Sequence, residues 1–98
     1  MNKIFKYELE ITDTQSINLG YFYAIPLSVI EQRGRLRLYA IVPQELPYDK
    51  STKYEIAVDI IGTGNPFNTS KKFIGTVAMS NSGFVWHVFA ECKEVRES

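Results

Sequence analysis

Residues 25–43, IPLSVIEQRGRLRLYAIVP, decide the fold class, because two runs of alternating apolar and polar residues meet at one glycine. Side chains repeat every second residue in a β-strand, so each run predicts a strand. Gly34 between the runs predicts a tight hairpin turn, and Pro43 ends the second arm. Pro26 cannot donate a ladder hydrogen bond, so the first arm belongs at an edge or near a strand start.

The same alternation recurs on both sides of this hairpin. Apolar residues alternate over 5–11 and 54–60, a short edge strand is expected over 16–19, and residues 73–79 and 84–91 are strand-like. No helical period extends over ten or more residues. We therefore predict an all-β fold, a single antiparallel β-sandwich or small barrel of about six to seven strands.

One domain is expected over residues 1–98, with a charged, frayed tail from about residue 93. Strand parity places one set of apolar residues on the inward face. The expected core contains Tyr7, Leu9, Leu36, Leu38, Ile56, Val58, Val77, Trp86 and Val88.

Composition excludes several classes of protein. Lys plus Arg and Asp plus Glu each number 11, so no general attraction to nucleic acid or anionic lipid is expected. The single cysteine, Cys92, makes neither an internal disulfide nor a zinc site and is expected to be a plain thiol. No metal and no cofactor are expected. The sequence shows neither a signal peptide nor a run long enough for a membrane helix, so an intracellular, non-membrane protein is expected.

The stretch DIIGTGNPFNTS, residues 59–70, resembles a phosphate loop only in its two glycines. A phosphate loop leads from a strand into a helix whose amide groups face the anion, and no helix is predicted after Gly64. Gly62 and Gly64 are therefore interpreted as a strand end with positive-φ positions. A backbone nest for an anion is the alternative.

Four residues are predicted to contact a partner, namely Arg35, Arg37, Tyr39 and Phe67. The arginines and Tyr39 share one strand face, and alternating Arg with an aromatic ring suits a phosphate or a protein interface. The alternative for this face is a solvated hairpin. Phe67 stands in an otherwise polar loop, so it either contacts a partner or enters the core and pins its loop.

His87 lies on a strand with two apolar faces. Val85, His87 and Phe89 share the face opposite Trp86, so this strand is expected to be central or covered by a partner. A homodimer would cover the second face. A general base needs a nucleophile and an orienting carboxylate, which no sequence pattern supplies, so a structural or partner-contact histidine is the preferred interpretation.

Four segments of the chain resemble a family of small phage and prophage proteins of unknown function. They are KIFKYELEITDTQSINL (3–19), LSVIEQRGRLRLYAIV (27–42), IIGTGNPF (60–67) and FIGTVAMSNSGFVWHVFAE (73–91). The motif VWHVF (85–89), in the last predicted strand, is the most specific part of the resemblance. Two positions depart from the family pattern, with Tyr39 in place of Trp and Asn65 in place of His. The family brings no established catalytic residues.

This resemblance implies a phage-encoded protein in the bacterial host cytoplasm. We expect a non-enzymatic binding protein, a counter-defence inhibitor that binds a host protein or sequesters a small nucleotide signal; this expectation rests on analogy. A minor virion protein and a small hydrolase using His87 are the alternatives. Homo-oligomerisation is expected, and the partner's identity is left open.

Overall fold

The computed structural model describes residues 1–95, which form seven strands and no helix. None of these residues therefore belongs to a helix that could cross a membrane. The strands are β1 (Asn2–Leu9), β2 (Thr14–Gly20), β3 (Ile25–Gln32), β4 (Arg35–Pro43), β5 (Tyr54–Gly62), β6 (Lys72–Ala78) and β7 (Val85–Glu94).

The hairpin of β3 and β4 turns at Arg33 and Gly34, as predicted. Their φ angles are +54° and +77°, and two successive positive φ values are typical of a two-residue hairpin turn. Gln32 and Arg35 form the last pair before the turn. Pro26 is the second residue of β3, which is an edge strand. Its missing N–H therefore removes no hydrogen bond from a central strand.

Two antiparallel sheets pack face to face. One contains three strands in the order β1-β4-β3, and the other contains four in the order β2-β5-β7-β6. Strand β3 lies across β6 and β7. The all-β prediction is confirmed, and of its two architectures the structure is the sandwich and not the barrel. β7 is central and β2 is an edge strand, as the sequence predicted.

The core lies between the sheets and is close to the predicted one. Seven of the nine predicted residues are buried, while Tyr7 and Trp86 are partly buried and pack against them. The sequence-based set lacked small and peripheral members. The additional residues of the buried core cluster are Ala24, Val29, Ala40, Val42, Ile60, Met79 and Ala90.

Two predicted boundaries are wrong. β1 ends at Leu9, and Ile11 lies in an exposed bend, because the Gln15 side chain hydrogen-bonds both the N–H and the carbonyl of Glu10 and turns the chain. β7 continues to Glu94, so residues 93 and 94 of the predicted frayed tail are ordered by pairing with β5. The N–H of Val95 donates to the carbonyl of Lys53 at 2.9 Å, and residues 96–98 of that predicted tail lie outside the described residues.

Candidate functional site

Gly62 and Gly64 serve different purposes in the turn after β5. Gly64 has a φ of +88°, which favours glycine. Gly62 does not have a positive φ. A Cβ at Gly62 would lie 2.9 Å from the Asn65 amide nitrogen and 3.2 Å from the Trp86 ring. The positive-φ prediction is therefore correct for Gly64 and wrong for Gly62, where a Cβ would crowd the Asn65 amide and the Trp86 ring.

This turn does not lead into a helix. The N–H of Asn65 donates to the carbonyl of Gly62 at 3.1 Å and closes the turn, and residues 65–70 then continue as irregular chain into β6. A helix N-terminus, which provides the aligned amide groups of a phosphate loop, does not follow the glycines.

Two threonine hydroxyls fix the ring of His87. Its Nε2 lies 2.8 Å from Thr63 Oγ1, and its Nδ1 lies 2.9 Å from Thr76 Oγ1. A neutral imidazole has one donor and one acceptor nitrogen, so the two hydroxyls occupy both. Thr63 belongs to the turn after β5 and Thr76 to β6. The ring therefore joins the turn to the edge of the sheet across β7.

Three phenylalanine rings cluster beside His87 on the outer face of the four-stranded sheet. The ring centroids of Phe67 and Phe73 each lie 5.4 Å from that of Phe89. Phe67 is 57% exposed and Phe73 is 52% exposed. We call this cluster of Phe67, Phe73 and Phe89 the aromatic face. Phe67 thus rests on the outside of the sheet and does not enter the core.

Shallow hollows flank Phe67 on both sides. One, of about 250 Å³, is lined by the aromatic face together with Ile61, His87 and the turn 62–65. The other, of about 380 Å³, is lined by residues that include Asp13, Asp59 and Pro66. Phe67 therefore projects between an apolar hollow and an acidic one.

An ion pair holds the C-terminal end of the loop between β5 and β6. Lys71 Nζ lies 3.0 Å from Asp59 Oδ2, and Asp59 is only 7% exposed. Asp59 is buried because the loop between β5 and β6 returns across its face of β5. The loop is thus held by Thr63 at its start and by Lys71 at its end.

The Thr63–His87 contact joins a hydroxyl to an imidazole, as nucleophile–base pairs do. The opposite ring nitrogen faces the hydroxyl of Thr76 and not a carboxylate, and it is a carboxylate that stabilises an imidazolium ion. No cluster of three His, Cys, Asp or Glu able to hold a metal occurs within residues 1–95. At Cys92, half-burial raises the pKa of the thiol, which disfavours the reactive thiolate.

The predicted arginine face lies on the opposite side of the molecule. Arg35 and Arg37 point outward from the three-stranded sheet, and both bind the carboxylate of Glu8, at 3.0 and 2.5 Å. Tyr39 follows them on the same face of β4 and is partly buried. The structure therefore does not bring Arg35, Arg37 and Tyr39 together with Phe67.

Phe67 lies instead with residues that the sequence assigned to an oligomer face. Phe89 is in the aromatic face, His87 adjoins it, and Val85 follows on the same outer face of β7. The loop between β5 and β6 covers part of this face, because Phe67 packs on Phe89. The apolar residues of this face of β7 are therefore partly covered within the chain itself. Whether a second copy covers the remainder stays a prediction.

The exposure of Phe73 was not predicted from the sequence, because the strand pairing at this residue contains a register shift. Strict alternation would place Phe73 on the same side as Val77, in the core. The pairing of β6 with β7 shifts between Phe73 and Gly75, so Phe73 faces outward while Val77 faces inward. A bulge reverses parity in this way, and the glycine at 75 was the only signal of it in the sequence.

Comparisons with known proteins give a family and no activity. A family model described as "Domain of unknown function (DUF7352)" matches residues 1–98. No curated protein and no solved structure matches the chain.

Proposed function

We propose that this chain, which belongs to the DUF7352 family of unknown function, is a non-enzymatic binding protein whose contact surface is the aromatic face. The exposure of Phe67 and Phe73, each more than half accessible beside Phe89, carries this proposal. Grouped exposed aromatic rings mark interaction sites, and rigid aromatic side chains are frequent anchors of interfaces.

The aromatic face is held in place before any partner arrives. His87 ties the start of the loop to the sheet and Lys71 ties its end. Phe73 and Phe89 stand on paired strands. A surface that is already ordered loses little conformational entropy on binding, so the arrangement suits recognition of a preformed partner surface.

The chemistry of the hollows favours a protein partner over a nucleotide. Among residues 1–95, no lysine or arginine lines the apolar hollow beside His87. The hollow on the other side of Phe67 carries Asp13, whose negative charge opposes phosphate, while Asp59 in the same hollow is already paired with Lys71. A protein surface with apolar side chains fits this combination. The phage resemblance supplies the context: a counter-defence inhibitor that binds a host protein in the bacterial cytoplasm.

Capture from bacterial lysate by matched variants tests this proposal. A Phe67→Ala/Phe73→Ala variant removes the two exposed rings of the aromatic face. Phe84→Ala is the control, because Phe84 is 61% exposed but lies outside that face. We expect one protein to be enriched by the wild type and by Phe84→Ala and lost with the double variant. Equal capture by all three, with equal melting temperatures, would reject the aromatic face.

A small hydrolase is a second candidate, favoured by the hydroxyl of Thr63 at 2.8 Å from His87. Activated p-nitrophenyl esters test it, with His87→Ala and Thr63→Val as paired variants. The binding proposal expects identical background rates in all three proteins. Turnover by the wild type that both variants lose while remaining folded would favour the enzyme.

Homodimerisation through Val85, His87 and Phe89 and a role as a minor virion protein are the other candidates. Light scattering distinguishes the first, because a monomer has a mass of 11.2 kDa. Mass spectrometry of purified virions distinguishes the second. A stable dimer that Phe67→Ala/Phe73→Ala dissociates would identify the partner as a second copy.

A further inference from the structure

Of the four edge strands, only β1 pairs with its neighbour in unbroken register. The pairings of β2, β3 and β6 each contain a register shift, and β3 also contains Pro26. β1 pairs with β4 from Asn2↔Pro43 to Leu9↔Leu36 without any shift. Bulges, prolines and lysines all discourage an edge strand from pairing with another chain. β1 has no bulge and no proline, and its exposed lysines, Lys3 and Lys6, oppose a basic strand but not an acidic one.

The register shows which backbone groups β1 leaves unpaired. The N–H of Gln44 donates to the carbonyl of Met1 at 2.9 Å, continuing the ladder one pair beyond Asn2↔Pro43. Hydrogen-bonded and non-bonded pairs alternate along an antiparallel ladder. The N–H and C=O groups of Ile4 and Lys6 therefore point away from β4. No strand among residues 1–95 pairs with this side of β1.

An apolar pocket lies beside this free edge, in the opening between the two sheets. It measures about 180 Å³, and its lining includes Phe5, Tyr7, Leu19, Phe22 and Val42. An apolar cavity of about 150 Å³ is large enough for a benzene ring. A strand added to β1 would direct every second side chain toward this opening, so the pocket fits one aromatic or large aliphatic side chain.

The charge of the edge specifies the partner further. Glu8 is engaged by Arg35 and Arg37. Within the described chain, Lys3 and Lys6 take part in no ion pair, and the side chains of β1 up to Lys6 are exposed. Opposite charges across neighbouring strands stabilise pairing. The exposed part of β1 therefore favours an acidic strand.

We propose that β1 binds an extended, acidic segment of a partner protein as an added strand. The backbone groups of Ile4 and Lys6 supply the main-chain hydrogen bonds, and the inter-sheet pocket takes one bulky apolar side chain. Main-chain bonds with a pocket for alternate side chains are the recognition mode of β-strand addition. This site is separate from the aromatic face and does not depend on its function.

Titration calorimetry with one designed peptide tests the site. The probe is acetyl-Thr-Glu-Val-Glu-Phe-Glu-Val-Thr-amide, and its control carries Ser in place of Phe. Lys6→Pro removes an N–H that the β4 ladder does not use, which an edge strand tolerates. Lys6→Ala removes the same charge but keeps that N–H. Thermal melting establishes that both variants are folded.

We expect Lys6→Pro to bind the peptide about tenfold more weakly than Lys6→Ala does, the effect of one lost hydrogen bond. The Ser peptide should bind the wild type at least about tenfold more weakly than the Phe peptide, because it buries no ring. Phe67→Ala/Phe73→Ala should bind normally, which separates this site from the proposed function.

Two results would overturn the assignment. The first is failure of the Phe peptide to bind the wild type at millimolar concentration, or equal binding of the Phe and Ser peptides, a comparison that stands even if Lys6→Pro does not fold. The second is a dimer of the wild-type chain that Lys6→Pro dissociates, which would assign the edge to β1 of a second copy.

Discussion

At the scale of single residues, the His87 ring is the link on which the shape of the aromatic face depends. It contacts one hydroxyl from the turn after β5 and one from β6. The sequence predicted a structural or partner-contact histidine, because no sequence pattern supplied the nucleophile and the orienting carboxylate that a general base needs. The two hydroxyl partners were not predictable, because Thr63 and Thr76 are distant in sequence and meet only through the sheet register.

His87→Ala should lower the free energy of unfolding by about 1–3 kcal/mol, the net value of two hydrogen bonds. Chemical denaturation measures this loss. A double-mutant cycle is the control: the same substitution should cost less in a Thr76→Val background, because one of the two bonds is already absent. Additive losses would contradict a direct His87–Thr76 interaction.

The glycines of the turn respond to substitution by different mechanisms. Gly62→Ala should destabilise by about 1 kcal/mol, the low end of overpacking costs, because the Asn65 amide can shift but the Trp86 ring is less free to move. Asn65→Ala in the same chain should recover part of this loss by removing the nearest atom. A Cβ at Gly64 would meet no neighbouring atom, but the φ angle there is positive. Asn adopts this left-handed conformation more readily than Ala, so Gly64→Asn should lower the free energy of unfolding less than Gly64→Ala. Denaturation midpoints measure both. Recovery of Gly64→Ala by Asn65→Ala would contradict this distinction.

At the scale of elements, register shifts account for what the sequence did and did not predict. Regular alternation identified the hairpin of β3 and β4 and most of the core. The shift in β6 turns Phe73 to the outer face, so one of the two exposed rings of the aromatic face was not predicted. Phe67 was predicted as one of two alternatives, since polarity alone does not show whether a loop returns to its sheet.

The loop between β5 and β6 depends on the Asp59–Lys71 pair. Lys71→Ala leaves the Asp59 side chain, which is 10% exposed, without its cation. This should cost about 2 kcal/mol, less than breaking a fully buried pair. Lys93→Ala is the control, because Lys93 is half exposed and lies 3.8 Å from Glu55, so its loss should cost less than about 1 kcal/mol. Equal losses in urea denaturation would contradict the fastening role of Lys71.

β3 is joined to the turn between β6 and β7 by a pH-sensitive contact. The Ser80 hydroxyl and the Ser80 N–H donate to the Glu31 carboxylate and lower its pKa below 4.5. A lowered folded-state pKa stabilises the fold above the unfolded pKa, and this stabilisation disappears as pH falls through the folded value. Between neutral pH and acid below 4.5, the wild type should therefore lose more stability than Glu31→Gln. Ser80→Ala should fall between them, and parallel pH profiles would contradict the contact.

At the scale of the whole molecule, the two outer faces and the free edge of β1 divide the surface into distinct regions. The arginine face carries its own counterion, Glu8. The aromatic face is apolar, and the loop that carries Phe67 is held at both ends, by His87 and by Lys71. The β1 edge is basic and has a pocket beside it. The all-β class and the neutral charge balance were predictable from the sequence. The separation of Arg35, Arg37 and Tyr39 from Phe67 was not, because it depends on which strands enter which sheet.

The central claim is that the aromatic face contacts a partner, and site-specific photocrosslinking in bacterial cells tests it most directly. A photoreactive benzoylphenylalanine at position 67 is compared with the same residue at position 84, another exposed phenylalanine outside the aromatic face. We predict one discrete crosslinked protein from position 67 and none from position 84. The same crosslinks from both positions, or none from either while the chain is folded and abundant, would contradict the claim.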